Sequence, residues 1–548
     1  MQYARDIIGA DENWWRGAVI YQIYPRSFQD SNNDGIGDLA GIVHRLPHVA
    51  ELGVDAIWIS PFFRSPMKDF GYDVSEYRDV DPIFGAIGDF EALIHRAHQL
   101  GLRVLIDLVL SHTSDQHPWF RESRVSRDNP KADWYVWADA KPDGTSPNNW
   151  LSIFGGTAWE WSTERRQYYL HNFLAEQPDL NLHNPEVQDE MLDVARFWLD
   201  KGVDGFRLDT VNFYFHDDEL RDNPVLPEAA RNEVLTPSVN PYNWQDHVYD
   251  KNRPETEVFL QRLRSVFNEY EATTSVGEIG DAQRGPEIQA AYTAGGDKLH
   301  MCYDFSFLSN TPPSGLHFAE VLRTFAAAGP ESWPLWAFSN HDVMRHVSRW
   351  ALDEPAARVY AALLMSLRGS ICLYQGEELG LPEAYVPFED LQDPYGIRFW
   401  PRYHGRDGCR TPMPWTTDVA HGGFSTAPKT WLPITVDHLD RAVSLQDADR
   451  SSMLTHYREM LAYRRERPVL LHGSLDIVEA RADFLSFVRR WDGQGMFCAF
   501  ALGEAPQTIT YPAGDWRADV MAPIRPEPSD PITRLDGWTA FFAQAVDI

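Results

Sequence analysis

The residues best placed to do chemistry are a few carboxylates at the ends of apolar runs. In GFRLDTVN (205–212), Arg207, Asp209 and Val211 fall on one face of a strand, because side chains alternate with period two. An arginine two residues away on that face keeps a carboxylate ionised, which a nucleophile requires. A structural Arg–Asp pair is the competing reading of this motif taken alone. In SVGEI, Glu278 closes an apolar strand. A carboxyl there is costly to bury unless its pKa rises, and a raised pKa suits a general acid. Two more runs end on polar groups: DLVLSH carries Asp107 and His112, and FSNHD carries His341 and Asp342. No H-x-x-x-H or H-E-x-x-H spacing points to catalytic zinc, so a polar, non-ligating role suits these histidines better.

Such groups act together only if separate strands bring them to one mouth. Eight short apolar runs recur between helical patterns: Ala18–Tyr24, Ala56–Ser60, Arg103–Leu108, Val203–Leu208, Ser275–Glu278, Leu299–Tyr303, Leu335–Ser339 and Ile371–Tyr374. The helix Glu186–Lys201 is the clearest of the intervening ones. Asn184-Pro185 opens it, Val187, Met191, Val194, Ala195, Trp198 and Leu199 line one face, and Gly202 ends it. Eight βα units predict an α/β chain built as a (β/α)8 barrel, with its active site at the C-terminal ends of the strands.

Two stretches break that rhythm. Residues 113–182 follow the third strand and are too long for an ordinary loop, so they read as an inserted subdomain; residues 380–431 are similarly irregular. Trp134, Tyr135, Trp137, Trp150, Trp159, Trp161, Tyr168 and Tyr169 crowd the insert. Most are expected to form its small core, and a minority to floor a binding site. Beyond Arg467-Pro468, short alternating runs (LDIVE, FLSFVRR, MFCAFAL, QTITY) predict an all-β domain. The expected division is therefore a discontinuous barrel (1–112 and 183–466), an insert (113–182) and a C-terminal β-sandwich (467–548).

Composition narrows the function classes. The 548 residues carry 49 Lys+Arg against 80 Asp+Glu, a formal charge of −31 with pI near 4.9. That balance argues against nucleic acid and anionic membrane surfaces as partners. Only seven of the cations are lysines, so the acid-rich surface reads as a solubility or salt-adaptation feature. Cys302, Cys372, Cys409 and Cys498 lie too far apart for a disulfide framework or a zinc site. With no apolar leader in MQYARDIIGADENWW and no long apolar run, a cytoplasmic location is expected.

The order and spacing of GVDAIWISP (53–61), DLVLSH (107–112), QPDLN (177–181), GFRLDTVN (205–212), VGEI (276–279), FSNHD (338–342) and LYQGEELG (373–380) resemble the α-amylase family of glycoside hydrolases. The resemblance covers essentially the whole chain, and QPDLN points to the oligo-1,6-glucosidase and α-glucosidase subfamily. It implies Asp209 as nucleophile, Glu278 as general acid/base and Asp342 as transition-state stabiliser. Arg207, His112 and His341 are then contacts of the bound glucosyl unit, with Tyr72 and Asp73 of FGYDV at the terminal sugar. Arg406, in GRDGCRTPMPW, matches a subfamily arginine, with Arg410 as its rival. The implied chemistry is retaining hydrolysis, for which the two carboxyls stand only about 5–5.5 Å apart.

Thr210, after the nucleophile, is by the same resemblance the residue type that goes with α-1,4 rather than α-1,6 cleavage. The implied enzyme releases glucose from the non-reducing end of maltose-like oligosaccharides, as a monomer or homodimer. Transfer to an acceptor sugar and a catalytically inactive binding barrel are the rival readings. Asp30, Asn32, Asp34, the Ile36 carbonyl and Asp38 alternate as oxygen donors in DSNNDGIGD, beginning like an EF-hand loop, but position 12 is Gly41 rather than Glu. A solvated Asx-rich turn is the plainer reading. Subfamily members carry a matching loop that binds calcium or magnesium, so the resemblance favours a structural Ca2+ (or Mg2+) and implies no organic cofactor.

Overall fold

A computed structural model describes residues 8–310, 314–526 and 532–546. Eight parallel strands form its central sheet: β1 (Val19–Ile23), β2 (Ala56–Ile59), β3 (Arg103–Leu108), β4 (Gly205–Leu208), β5 (Thr274–Ile279), β6 (Met301–Asp304), β7 (Leu335–Ala337) and β8 (Ser370–Tyr374). Their spatial order is β6-β5-β4-β3-β2-β1-β8-β7, and a parallel bridge between Cys302 and Pro334 joins the ends into a barrel. Each strand falls where the apolar runs predict it. The strands are buried on both faces, which is why they read as apolar runs rather than alternating ones.

The two faces nevertheless differ. Val19, Tyr21, Ile57, Ile59, Val104, Ile106 and Phe206 point outward into the layer shared with the helices. Ile20, Ala56, Trp58, Leu105, Val276, Met301 and Cys372 fill the barrel interior. Following the inward face toward the C-terminal ends of the strands reaches Gln22, Asp107, Arg207, Glu278 and Tyr303. The ladder sets Asp107 opposite Arg207 and Glu278 opposite Tyr303. The period-two rule thus carries one stripe of each strand from apolar core to polar mouth.

Among the flanking helices, α1 (Leu39–Leu52) is capped by Asp38, whose side chain accepts from Gly41 N. The predicted helix after the insert spans Pro185–Asp200. The Asn184 side chain accepts from Glu186 N, the six anticipated residues are buried, and Gly202 leaves in the left-handed region at φ 96°.

The insert contains the helix Pro118–Val125 and a three-stranded antiparallel sheet with Gln167–Leu170 between Trp137–Ala138 and Trp159–Ser162. Bridges His112–Asp179 and Tyr135–Leu180 stitch its entrance to its exit. After the short helix Pro468–His472, a five-stranded antiparallel sheet forms from Ser474–Arg481, Phe484–Trp491, Gln494–Ala501, Ala540–Ala545 and Trp516–Ala518, in that order. Within QTITY only Gln507–Thr508 is strand, paired with Arg534–Leu535, and the last two strands of the larger sheet were not among the predicted runs. Ile509 and Leu535 pack with Phe497 and Phe541, closing a sandwich-like core.

Candidate active site

At the C-terminal end of the barrel a cavity of about 110 Å³ is lined by Asp69, Tyr72, His112, Asp209, Thr210, Glu278, Asp342 and Arg406 among others. The strands hold its floor through one guanidinium. Arg207 Nη1 donates to Asp107 Oδ1 at 2.8 Å and to Asp209 Oδ1 at 2.7 Å. Its Nη2 lies 2.7 Å from Glu278 Oε1 and donates to the Tyr303 hydroxyl at 2.8 Å, and that hydroxyl in turn donates to Glu278 Oε1 at 3.0 Å. Trp58 Nε1 and the Tyr72 hydroxyl donate to Asp107 Oδ2 at 3.0 and 3.1 Å.

Three buried carboxylates therefore share one cation. Burial pushes both Asp209 and Glu278 up to about 7, and Asp107 up to about 6, against the opposing pull of Arg207. Charge balance then favours retaining a proton on the trio near neutrality. Asp209 and Glu278 are the two of the three that face the cavity, whereas Asp107, held by Arg207, Trp58 and Tyr72, lies behind it.

Asp342 sits in the opposite regime. Burial would raise its pKa, but His341, Arg406 and Arg410 outweigh it and hold the carboxyl well below the usual range. Arg406 Nη1 and Arg410 Nη2 donate to Asp342 Oδ1 at 3.1 and 2.9 Å. His341 itself stays neutral because burial lowers its pKa. Gln22 Nε2 lies 2.7 Å from Nδ1, donor against acceptor, which leaves the ring proton on Nε2. Nε2 then donates to the Tyr72 hydroxyl at 2.5 Å and lies 3.2 Å from Asp342 Oδ2.

The expected sugar contacts separate on inspection. Tyr72, His112 and Arg406 line the cavity, whereas Arg207 and His341 are buried behind it. Asp73 does not reach it. Its carboxylate is consumed by its own loop, accepting from Ser65 Oγ, Lys68 N and Asp69 N at 2.9, 2.9 and 3.0 Å. The neighbouring Asp69 takes the place expected of it, paired with Arg406 Nη2 at 2.8 Å. Arg406 and Arg410 are partners rather than rivals, since both bind Asp342. Val211 leaves the Arg207–Asp209 face because the chain turns at Thr210 (φ 42°, ψ 51°) into a 3-10 turn, burying Val211 in the outer core.

Both irregular segments contribute walls, the insert through Ile153, Phe154, Phe173 and Gln177, the later one through Tyr395, Tyr403 and Arg406. None of the insert's eight tryptophans and tyrosines singled out in the sequence lines the cavity; Trp134, Tyr135, Trp150, Trp159 and Tyr169 are its core and Trp161 is exposed. The cavity's phenylalanine wall is Phe154, Phe173, Phe213 and Phe305, with Leu235 from the long connection that follows β4. Gln177 of QPDLN had a readable signal, its own motif: Nε2 donates to Asp69 Oδ2 at 3.2 Å, tying the insert to the cavity rim.

The loop 30–38 closes on itself. Asp30 Oδ1 accepts from Asn32 N and Asn33 N, and its Oδ2 from Gly35 N. Asn32 accepts from Asp34 N, Asp34 from Ile36 N, and Asp38 from Ser31 and Gly41. The carboxylates of Asp30, Asp34 and Asp38 do not converge on one point. Among the described residues three such ligand atoms gather only at His183, His216 and Asp218, where His183 Nε2 already lies 2.9 Å from the His216 carbonyl. As arranged, the loop is a chain of Asx turns whose last member caps α1.

A (β/α)8 barrel that brings a paired Asp and Glu and a third, ionised Asp to one cavity presents the carboxyl groups that acid–base and nucleophilic chemistry draw on. Comparison with known proteins makes this specific. The α-amylase catalytic-domain family matches residues 22–473. A probable α-glucosidase of Rhizobium meliloti (strain 1021) is 60% identical over 542 residues, 98% of each chain. An oligo-1,6-glucosidase of Parageobacillus thermoglucosidasius is 36% identical over 500 residues, covering 85% of this chain and 86% of its own. The crystal structure of the α-glucosyl transfer enzyme XgtA superposes with a TM-score of 0.94 at 53% identity, covering 97% of this chain and 99% of that one. This chain belongs to the α-amylase family of glycoside hydrolases.

Proposed function

We propose that the protein is a retaining α-glucosidase that releases glucose from short α-glucosides. The observation that carries the reading is the Arg207 guanidinium holding Asp209 and Glu278 together at the cavity floor. A shared guanidinium, with a hydrogen bond from Thr210 to each carboxylate, supports the short separation that direct attack without an intervening water requires. Asp209 attacks the anomeric carbon as Glu278 protonates the departing oxygen. Glu278, now a base, takes a proton from the water that releases glucose. Asp342, ionised by its two arginines, strengthens its hydrogen bonds to the sugar as the ring flattens toward the oxocarbenium ion.

A wall reaching in from the insert and from the 380–431 segment supports an exo-acting pocket, and Thr210 at the cavity supports α-1,4 preference. Turnover of p-nitrophenyl α-glucoside, with α-glucose as the first anomer detected by proton NMR and activity abolished in Asp209→Asn, is the expected result. First-formed β-glucose would overturn the retaining assignment. An Asp209→Asn variant of undiminished activity would overturn the nucleophile. An inactive binding barrel is disfavoured because Asp209, Glu278 and Asp342 all line the cavity.

Transfer of glucose to an acceptor sugar is a second reading, favoured by the likeness to XgtA; products formed on concentrated maltose distinguish it. Sucrose isomerisation has less support, because the stretch Asn310–Leu316 reads NTPPSGL, without the basic loop family isomerases carry; residues 311–313 lie outside the described ones. A structural Ca2+ or Mg2+ in the 30–38 loop rests on the spacing alone, and a lower thermal midpoint after chelation is its test. No helix is long and apolar enough to cross a membrane among the described residues, and all four cysteines are buried and free, in keeping with a cytoplasmic location.

A further inference from the structure

The ladder between β4 and β5 has its last registered pair at Leu208 and Gly277. Asp209 and Glu278 each lie one residue beyond it, where no strand pairing fixes one against the other. A fully buried side chain continues the pairing. Asn212, on the turn Val211–Phe213, grips the peptide groups of Gly280 from both ends: Gly280 N donates to Asn212 Oδ1 at 2.9 Å, and Asn212 Nδ2 donates to the Gly280 carbonyl at 3.1 Å. One donor and one acceptor on a planar amide reproduce what a neighbouring strand would offer.

Two residues of the connection between β4 and the helix Glu255–Phe267 reinforce this grip. The buried Lys251 donates from Nζ to the same carbonyl at 2.7 Å, with Asp281 at 3.6 Å as its counter-charge. Asn252 accepts from Asn212 Nδ2 at 2.8 Å and returns its own N–H to the Asn212 carbonyl at 2.7 Å. The approach is close, since a Cβ added at Gly280 would stand 3.2 Å from the Phe213 ring.

We propose that Asn212 is a positioning residue for Glu278: by clamping Gly280, two residues past the acid, to the turn that follows Asp209, it holds the two carboxyls at their working separation, with Lys251 as its support. This rests on the roles assigned above to Asp209 and Glu278. An aspartate at 212 keeps the acceptor but loses the donor, and an alanine loses both, so the two substitutions grade the effect.

The test compares kcat/KM on two substrates of the full-length protein: maltose, whose leaving group needs a proton, and 2,4-dinitrophenyl α-glucoside, whose leaving group does not. Asn212→Ala is expected to lose about tenfold more on maltose than on the aryl glucoside, and to shift the basic limb of the pH profile on maltose. Asn212→Asp should fall between this variant and the parent, and Lys251→Met should show the same bias more weakly. Equal losses on both substrates with an unmoved pH profile, or no loss at all, would overturn the proposal. If Asn212→Ala does not fold, Asn212→Asp carries the same comparison, and equal losses in it overturn the proposal equally. Failure of the underlying roles has a separate signature: Glu278→Gln would then show no bias toward the aryl glucoside.

Discussion

The two sides of the cavity use the same two functional groups to opposite ends. On the strand side one guanidinium, Arg207, serves three carboxylates, Asp107, Asp209 and Glu278. On the loop side two guanidiniums, Arg406 and Arg410, converge on Asp342, and Arg406 also pairs with Asp69 and Asp393. Burial is severe on both sides, so the ratio of cations to anions decides the outcome. With one cation for three acids, Asp209 and Glu278 are raised to about 7 and a proton is kept at hand. With two cations for three carboxylates, and both of them meeting on Asp342, that carboxyl stays ionised far into the acid range. Proton transfer needs the first arrangement and electrostatic stabilisation the second.

The largest effect expected is on catalysis. Glu278→Gln should lower kcat/KM on maltose by about 10²–10⁴-fold while sparing substrates with activated leaving groups. If maltose and aryl glucosides suffered alike, the strand side would not be the proton-donating side.

Next come two stability effects of opposite sign. Asp342 has a depressed folded pKa, so its stabilisation is present above its unfolded value and is lost as pH falls through the folded one. Asp342→Asn should therefore destabilise the protein at neutral pH by about 3 kcal/mol, leaving Arg406 and Arg410 without their shared counter-charge, and the gap to the parent should close in acid. Glu278 has a raised folded pKa, so the unfolded chain ionises first and the parent loses stability as pH climbs from 4.5 to about 7. Glu278→Gln should accordingly be more stable than the parent by on the order of 2 kcal/mol at pH 7.5 and equal to it near pH 4. Denaturant titrations at three pH values check both. Shifts of the same sign would erase the contrast between the two sides.

The smallest effect concerns linkage. Thr210 donates from Oγ1 to Asp209 Oδ2 at 3.2 Å and lines the cavity, so Thr210→Val should raise the isomaltose-to-maltose activity ratio a few-fold. An unchanged ratio would remove Thr210 as the determinant.

Much of this site was legible in the sequence because strands encode their faces. Arg207, Asp209 and Glu278 stand at strand ends, and period-two alternation aims them inward whatever the loops do. The loop residues were harder to read. Asp73 and Asp69 lie four positions apart in one turn, and only the folded turn shows that Asp73 is spent on Ser65, Lys68 and Asp69 while Asp69 meets Arg406. Which of the insert's rings reach the cavity was not readable, although its tryptophans and tyrosines were expected to be mostly core. They are core because a small irregular subdomain needs its largest rings to bury area, which leaves Phe154 and Phe173 for the wall.

By itself, then, the sequence determined the barrel, its eight strands, the carboxylates at their ends and the family. The net charge of −31 argues against polyanionic partners but is silent on the site. Only the tertiary structure decided which loops meet over the barrel mouth, that Arg406 and Arg410 act on one carboxylate, that the 30–38 carboxylates turn back onto their own loop, and that Asn212 reaches across to Gly280. The division has a physical cause. Hydrophobic periodicity is a local signal that sets which way a strand or helix faces, whereas loop side chains take partners far away in sequence, and those pairings exist only once the chain has closed.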